Sequence, residues 1–138
     1  MSLHPTLLHE LLDAEVAVAR QRLRQGVTGI HRDGHVVRTP VPAPDGRQVW
    51  LSLSGLHYDA EPLSVFVADE DGSACADMWP AGLLGGVHPV LGRPFACVQG
   101  CAEYYTHTSH FKDRWDASRP RLRLADLLDH LLRRAGIS

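Results

Sequence analysis

The side chains best suited to chemistry lie in one stretch of the chain, residues 97–115. Two thiols, one carboxylate and two imidazoles fall within its first part, as Cys97, Cys101, Glu103, His107 and His110. Thiolate, carboxylate and imidazole are the groups that bind zinc in proteins. The pattern therefore predicts a metal site within residues 97–110.

The spacing of these residues leaves two arrangements open. His107 and His110 are three residues apart, so one helical or tight turn would direct both rings to one side. Glu103 precedes His107 by four residues and would share that side if residues 103–110 were helical. If residues 101–105 are extended instead, Cys101 and Glu103 share a face. Spacing alone slightly favours Cys101 over Cys97 as the thiolate.

The ligand types also predict which metal binds. One thiolate, two imidazoles and a carboxylate suit Zn²⁺, with Fe²⁺ or Ni²⁺ as alternatives. Four protein ligands would close the coordination sphere, whereas three would leave a position for water. Glu103 decides between these cases, because it either closes the site as a ligand or serves a zinc-bound water as a base.

The composition is that of an ordinary globular protein. The chain has 138 residues, of which 44% are hydrophobic and 22% charged, so we expect a single domain over residues 1–138. The formal net charge of −2 argues against a general nucleic-acid binder, which needs clustered cations.

The location of the protein is predicted from what the sequence lacks. No apolar run approaches the roughly 20 residues that span a bilayer, so we expect no membrane segment. Residues 1–5 lack the basic and apolar regions of a signal peptide. Three cysteines, an odd number, do not form a disulfide framework. These observations predict a cytoplasmic protein whose cysteines are thiols or ligands.

Hydrophobic periodicity predicts an α+β fold. The expected elements are an N-terminal amphipathic helix over residues 6–25, a hairpin over 30–37, a proline-rich connection over 40–46, strands over 47–54 and 63–68, a long loop over 73–94, a short strand over 95–99 and a C-terminal helix over 124–135. Strands grouped between helices favour an antiparallel meander of about four strands with helices on one side.

This order of elements resembles the ubiquitin-conjugating-enzyme (UBC-like) fold. The matching segments are Tyr58-Asp59-Ala60-Glu61-Pro62-Leu63, similar to that fold's Tyr-Pro-rich turn, and His88-Pro89, Gly92 and Cys97, similar to the His-Pro element and active-site cysteine. Trp115 and the Leu-rich helix that follows it also match. The sequence departs from the family at Val90, where the family has Asn. The resemblance implies that Cys97 stands where a thiol nucleophile would be.

The cluster itself is similar to a small bacterial family of predicted metal-binding domains named for a Cys-Glu-His-His quartet. The matching residues are Cys97 or Cys101, with Glu103, His107 and His110. Those domains occur beside prokaryotic ubiquitin-like components. The resemblance implies a metal-binding domain of unproved activity, favours Cys97 as the thiolate, and suggests a protein partner from a ubiquitin-like system. With the resemblance added to the spacing, Cys97 ranks first as the thiolate and Cys101 is the rival.

Three functions remain open from the sequence. The leading hypothesis is a non-catalytic zinc-binding domain that binds a partner protein. The second is a metal-dependent hydrolase that uses Glu103, although no His-Glu-x-x-His motif is present. The third is a thiol-transfer protein in which Cys97 is the nucleophile, which requires an accessible thiolate. A bound metal would occupy that thiolate.

Overall fold

The structure is a computed structural model that describes residues 3–24 and 26–137, without the side chains of residues 27 and 28. Met1 and Ser2, part of the N-terminal segment that lacks signal-peptide features, lie outside the described residues. So does Gln25, the last residue of the first predicted helix. No helix in the described part of the chain is long and apolar enough to cross a membrane.

The first helix, α1, spans Pro5–Arg22, close to its predicted range. Proline suits the first helical position, and Nδ1 of His4 accepts a hydrogen bond from the N–H of Thr6 before the helix begins. Leu12, Val16 and Ala19 recur at three- and four-residue steps and are buried. A short helix, α2 (Gly26–Gly29), connects α1 to the sheet.

The sheet is the predicted four-stranded antiparallel meander. Its strands are β1 (His31–Asp33), β2 (Val36–Pro42), β3 (Gln48–Ser54) and β4 (Ser64–Ala68), in the spatial order β1-β2-β3-β4. Val37 pairs with Leu53, and Leu53 pairs with Val65, so that all three project from the same face. They are buried, whereas most of their neighbours along the strands, such as Arg38 and Phe66, are only half-buried; Ser52 is the buried exception. The sheet therefore covers the core with one face.

The proline-rich connection predicted over 40–46 is wrong at its start, because β2 continues to Pro42. β1 pairs with β2 only from Val36 to Arg38, so the rest of β2 has one open edge. A proline at such an edge needs no partner for its missing N–H. The sheet thus accepts Pro40 opposite Trp50 and Pro42 opposite Gln48.

After β4 the chain is mostly irregular until α3. Three short helical segments and one long helix then follow. These are α3 (Ala102–Thr106), a 3₁₀ turn (Thr108–His110), α4 (Trp115–Ser118) and α5 (Leu124–Arg134). The strand predicted over 95–99 is absent. Just after that range, Cys101 forms an isolated bridge with Leu63, the residue before β4. The prediction of a C-terminal helix is confirmed.

A charged network holds α1 against the start of α5. The guanidinium of Arg123 donates to the carboxylate of Glu15 through two nitrogens and to Asp59 through a third. Glu15 also accepts from the N–H of Leu124 at 3.0 Å and from the hydroxyl of Tyr58 at 3.2 Å. Burial raises the pKa of Tyr58, and the neighbouring Glu15 charge raises it further. The network therefore ties both helices to the turn between β3 and β4.

Candidate functional site

The predicted site residues are delivered by a long irregular segment and by α3. The N–H of Gly85 donates to the carbonyl oxygen of Phe95 at 2.7 Å, and the N–H of Phe95 donates to the carbonyl oxygen of Gly86 at 3.2 Å. Phe95, Ala96 and Val98 are buried, whereas Cys97 between them is partly exposed. This segment therefore anchors its apolar side chains in the interior and presents the thiol of Cys97 towards the surface.

Gly85 lies directly against Cys97. A Cβ atom at position 85 would be 3.0 Å from the backbone nitrogen of Cys97 and 3.1 Å from its Cβ. Any side chain at this position would therefore press on the cysteine. Glycine allows this close approach without a shift of the neighbouring backbone.

The structure brings Cys97 and His110 together. The Sγ atom of Cys97 is 3.5 Å from Nε2 of His110. On the other side of the ring, Nδ1 of His110 is 3.9 Å from Oδ2 of Asp113. At 3.9 Å this is an electrostatic contact and not a hydrogen bond. In the tautomer that carries its proton on Nδ1, the Nε2 atom of His110 can accept the proton of the Cys97 thiol.

Tyr104 contacts both His110 and Asp113. Its ring stacks on His110 with centroids 4.0 Å apart and an interplanar angle of 17°. Its hydroxyl donates to Oδ2 of Asp113, and this hydrogen bond raises the pKa of Tyr104 to about 12. One side chain thus fixes the plane of the imidazole and the position of the carboxylate behind it.

His107 stands beside this pair but is engaged differently. The helix α3 ends before it, and its backbone is extended, so residues 103–110 do not form the continuous helix that spacing allowed. Nδ1 of His107 accepts the N–H of Ser109 at 3.0 Å, and its ring stacks on Phe95. Its ring centroid is 5.7 Å from that of His110. His107 therefore begins the 3₁₀ turn that carries His110.

Glu103 points into the protein, towards the start of β4. The residue is only 1% exposed, and its carboxylate accepts from Ser64 Oγ at 2.6 Å and from the N–H of Val65 at 2.8 Å. Arg93 approaches the same carboxylate at 3.3 Å. Glu103 thus connects α3 to the first residues of β4.

Cys101 is also directed inwards. Its thiol donates to the carbonyl oxygens of Val98 at 3.0 Å and Ala96 at 3.3 Å. Burial raises its pKa to about 12, and the negative charge of Glu103 contributes to the shift. Because a thiol ligates metals and attacks electrophiles as the thiolate, Cys101 is held in its unreactive form.

His88 braces the loop before Cys97. The ring is buried, and its Nδ1 accepts the N–H groups of Val90 and Leu91 at 3.1 and 3.0 Å. Nε2 must then carry the proton, and it donates to the carbonyl oxygen of Glu103 at 3.0 Å. The ring therefore fastens this loop to α3.

Asp113 and Gly85 are the residues of this site that the sequence does not single out. The sequence carries one usable signal for Asp113, which follows His110 at the same three-residue interval as His110 follows His107. Gly85 belongs to a glycine pair in the long loop, and its closeness to Cys97 depends on the tertiary fold. Trp115, which follows the cluster in the sequence, is buried in the core.

The fit of a zinc ion to these residues is partial. Ligands at the usual Zn–S and Zn–N distances in a tetrahedral site lie about 3.6 Å apart, which matches Cys97 Sγ and His110 Nε2. His107 does not fit in this conformation. Its Nδ1 accepts the N–H of Ser109, and the neutral ring then carries its proton on Nε2, so neither nitrogen offers a lone pair to the metal. No group of three or more His, Cys, Asp or Glu side chains with metal-binding geometry occurs among the described residues.

No protein-family model matches the sequence, and a search of curated proteins finds no match. The two family resemblances stay expectations. The geometry of Cys97, His110, Asp113 and Tyr104 is therefore the basis for assigning a function.

Proposed function

We propose that this protein is a thiol-dependent group-transfer domain in which Cys97 is the nucleophile and His110 accepts its proton. The observation that carries the proposal is the 3.5 Å separation between Cys97 Sγ and His110 Nε2. A cysteine becomes nucleophilic when a neighbouring base or cation favours its thiolate. His110 is the titratable side chain in that position.

The groups around His110 support this role. Nucleophile and base are commonly accompanied by a third group that orients the base. Asp113, 3.9 Å from Nδ1, carries the charge that stabilises the imidazolium formed when the thiol loses its proton. Tyr104 prevents the ring from turning away, because it covers one face and hydrogen-bonds the carboxylate.

The reaction that fits these groups is acyl transfer between thiols. The thiolate of Cys97 attacks the carbonyl carbon of a donor thioester, forming a new C–S bond as the old C–S bond breaks. The proton taken by His110 passes to the departing donor sulfur. The products are an acyl group on Cys97 and a donor thiol, so that no oxidant or other reactant is needed.

The arrangement of elements also supports the proposal. The helix, the antiparallel meander, the long loop with His88-Pro89 and the cysteine follow one another in the order that the conjugating-enzyme resemblance leads one to expect. On that resemblance Cys97 corresponds to the active-site cysteine. A partner from a ubiquitin-like system stays a prediction on the same basis.

The test is the rate at which each cysteine reacts with iodoacetamide, followed by mass spectrometry of peptides at pH 7. We expect Cys97 to be alkylated well before Cys101, and His110→Gln to slow Cys97 by about tenfold or more, since a positioned base contributes on the order of 10²-fold or above. His130→Gln, at an exposed histidine of α5, is the matched control. An unchanged rate in His110→Gln would overturn the proposal.

A second candidate function is metal binding, the leading hypothesis from the sequence. It is favoured by one observation, the zinc-like spacing of Cys97 and His110. If it is right, the purified protein contains stoichiometric zinc, and a chelator speeds alkylation of Cys97 by removing the metal. His110→Gln would then lose zinc and speed alkylation, the opposite of the change expected for a base. The hydrolase alternative requires Glu103 beside a metal-bound water, and this carboxylate faces β4 instead.

A further inference from the structure

A cavity of about 460 Å³ lies between the start of α1, the turn that joins β1 to β2, and the segment that follows β3. It shares no lining residue with Cys97, His110 or Asp113. Its volume is within the range of small-molecule binding sites, roughly 300–1,000 Å³. The cavity is therefore a separate feature that the proposed transfer chemistry does not explain.

Aliphatic side chains from two parts of the chain line this cavity, together with His9, His35 and His57. Pro5, Leu8 and Leu12 line it from α1, and Leu56 lines it from the segment after β3. Leu12 is buried, whereas Leu56 is 52% exposed, so the apolar lining continues from the interior to the surface. An unbranched alkyl chain has the shape and polarity to fill such a space.

One permanently charged side chain lines the same cavity. The side chain of Arg32 is only 13% exposed, and its nearest carboxylate partner, Asp13, lies 3.5 Å away with 72% of its side chain exposed. The other partners of the guanidinium are uncharged acceptors, the carbonyl oxygen of Gly34 at 2.9 Å and Nδ1 of His9 at 3.0 Å. An exposed carboxylate at that distance compensates a largely buried cation weakly.

We infer that the cavity binds a carboxylate that carries an alkyl chain, such as the anion of a medium-chain fatty acid. The carboxylate pairs with Arg32, whose planar fork of N–H donors suits a carboxylate. The alkyl chain lies against Leu8, Leu12 and Leu56. The ligand thus supplies the negative charge that Arg32 lacks and an alkyl chain that covers the aliphatic walls.

The test uses the full chain with butanoate, hexanoate and octanoate, each below the concentration at which it forms micelles, followed by two-dimensional NMR of the backbone amides. We expect shifts at His35 and Leu56 and an affinity that rises about fourfold for each added methylene group. We expect octanol, which lacks the charge, to bind about tenfold more weakly than octanoate. Equal binding of octanoate and octanol, or no binding of either, would overturn the inference.

Two variants locate the ligand. Arg32→Gln should weaken octanoate by about tenfold or more and leave octanol unchanged, because it removes the charge but not the apolar walls. Leu8→Trp should weaken both, because the larger ring occupies the cavity. Arg133→Gln is the matched control, since Arg133 pairs with Asp129 on the exposed side of α5. If Arg133→Gln weakens octanoate as much as Arg32→Gln, the fatty acid binds elsewhere and the inference fails.

Discussion

Replacing Glu103 by alanine tests whether this residue anchors α3 or serves a metal. The substitution removes the carboxylate that accepts the N–H of Val65 at 2.8 Å and the hydroxyl of Ser64 at 2.6 Å. The N–H of Val65 is then left buried without this partner. Leaving a buried donor unsatisfied costs about 1–3 kcal/mol, and losing a hydrogen bond to a charged group costs about 1.5–3 kcal/mol.

The ion pair with Arg93 adds little to this sum. The side chain of Arg93 is 54% exposed, so water solvates its charge when Glu103 is absent. We therefore expect Glu103→Ala to lower the free energy of unfolding by about 3–4 kcal/mol. For a chain of 138 residues this lowers the melting temperature by roughly 10 °C.

Urea unfolding in the presence of a chelator measures this cost without any contribution from metal. Glu103→Gln should cost less than Glu103→Ala, because its amide oxygen still accepts from Val65. Glu10→Ala, at an exposed carboxylate on α1, is the matched control and should change stability by no more than about 0.5 kcal/mol. A chelated Glu103→Ala protein as stable as the wild type would refute the anchoring role and favour Glu103 as a metal ligand.

The remaining predictions concern pH and the network between the helices. Because burial raises the pKa of Cys101 from 9.0 to about 12, the folded state holds this proton between those pH values while the unfolded chain releases it. The contribution of the Cys101 thiol to the free energy of unfolding is present in full below pH 9 and falls by about 1.4 kcal/mol for each pH unit above it. In urea titrations Cys101→Ala should therefore lose stability less steeply than the wild type as the pH rises. Parallel slopes would contradict a raised pKa for Cys101. Glu15→Ala should destabilise the protein by about 3–5 kcal/mol, because it leaves the N–H of Leu124 and part of the charge of Arg123 without their carboxylate. Asp129→Ala, which breaks only the pair with exposed Arg133, is its control, and equal losses in the two variants would show that the Glu15 network contributes no more than a surface ion pair.

The sheet and the two long helices could be predicted because their signals are local. Val49, Leu51 and Leu53 alternate with more polar residues, and this pattern alone indicates a strand with one buried face. The leucines of α5 recur at helical spacing, and all of those from Leu124 to Leu132 are buried. Such periodic patterns determine the element without reference to the rest of the chain.

The strand predicted over 95–99 failed because a strand also needs a partner. Phe95, Cys97 and Gln99 alternate with Ala96 and Val98 in the sequence, but this segment is not paired along its length with a neighbouring strand. Its hydrogen bonds go to Gly85 and Gly86, far back in the loop. Pairing of this kind depends on tertiary structure that residue patterns do not encode.

The end of α3 decided which candidate ligands could meet. Imidazole Nδ1 of His107 accepts the N–H of Ser109, and a local bond of this type competes with continued helix. Beyond that break the chain turns, so that His110 faces Cys97 rather than Glu103. The sequence could thus predict which residues form the cluster. It could not predict that Cys97 and His110 would meet at the surface while Glu103 would be buried against β4.

The short helix α3 carries both the buried Glu103 and Tyr104, which stacks on His110. Successive residues of a helix point about 100° apart, so Glu103 can face β4 while Tyr104 faces away from it. Glu103 is fixed by Ser64 and Val65, and Tyr104 in turn stacks on His110. The buried carboxylate therefore contributes to the geometry of the Cys97–His110 pair from a distance. Glu103, which the sequence predicts as a metal ligand or a base, instead supports the Cys97–His110 pair by holding the helix that carries Tyr104.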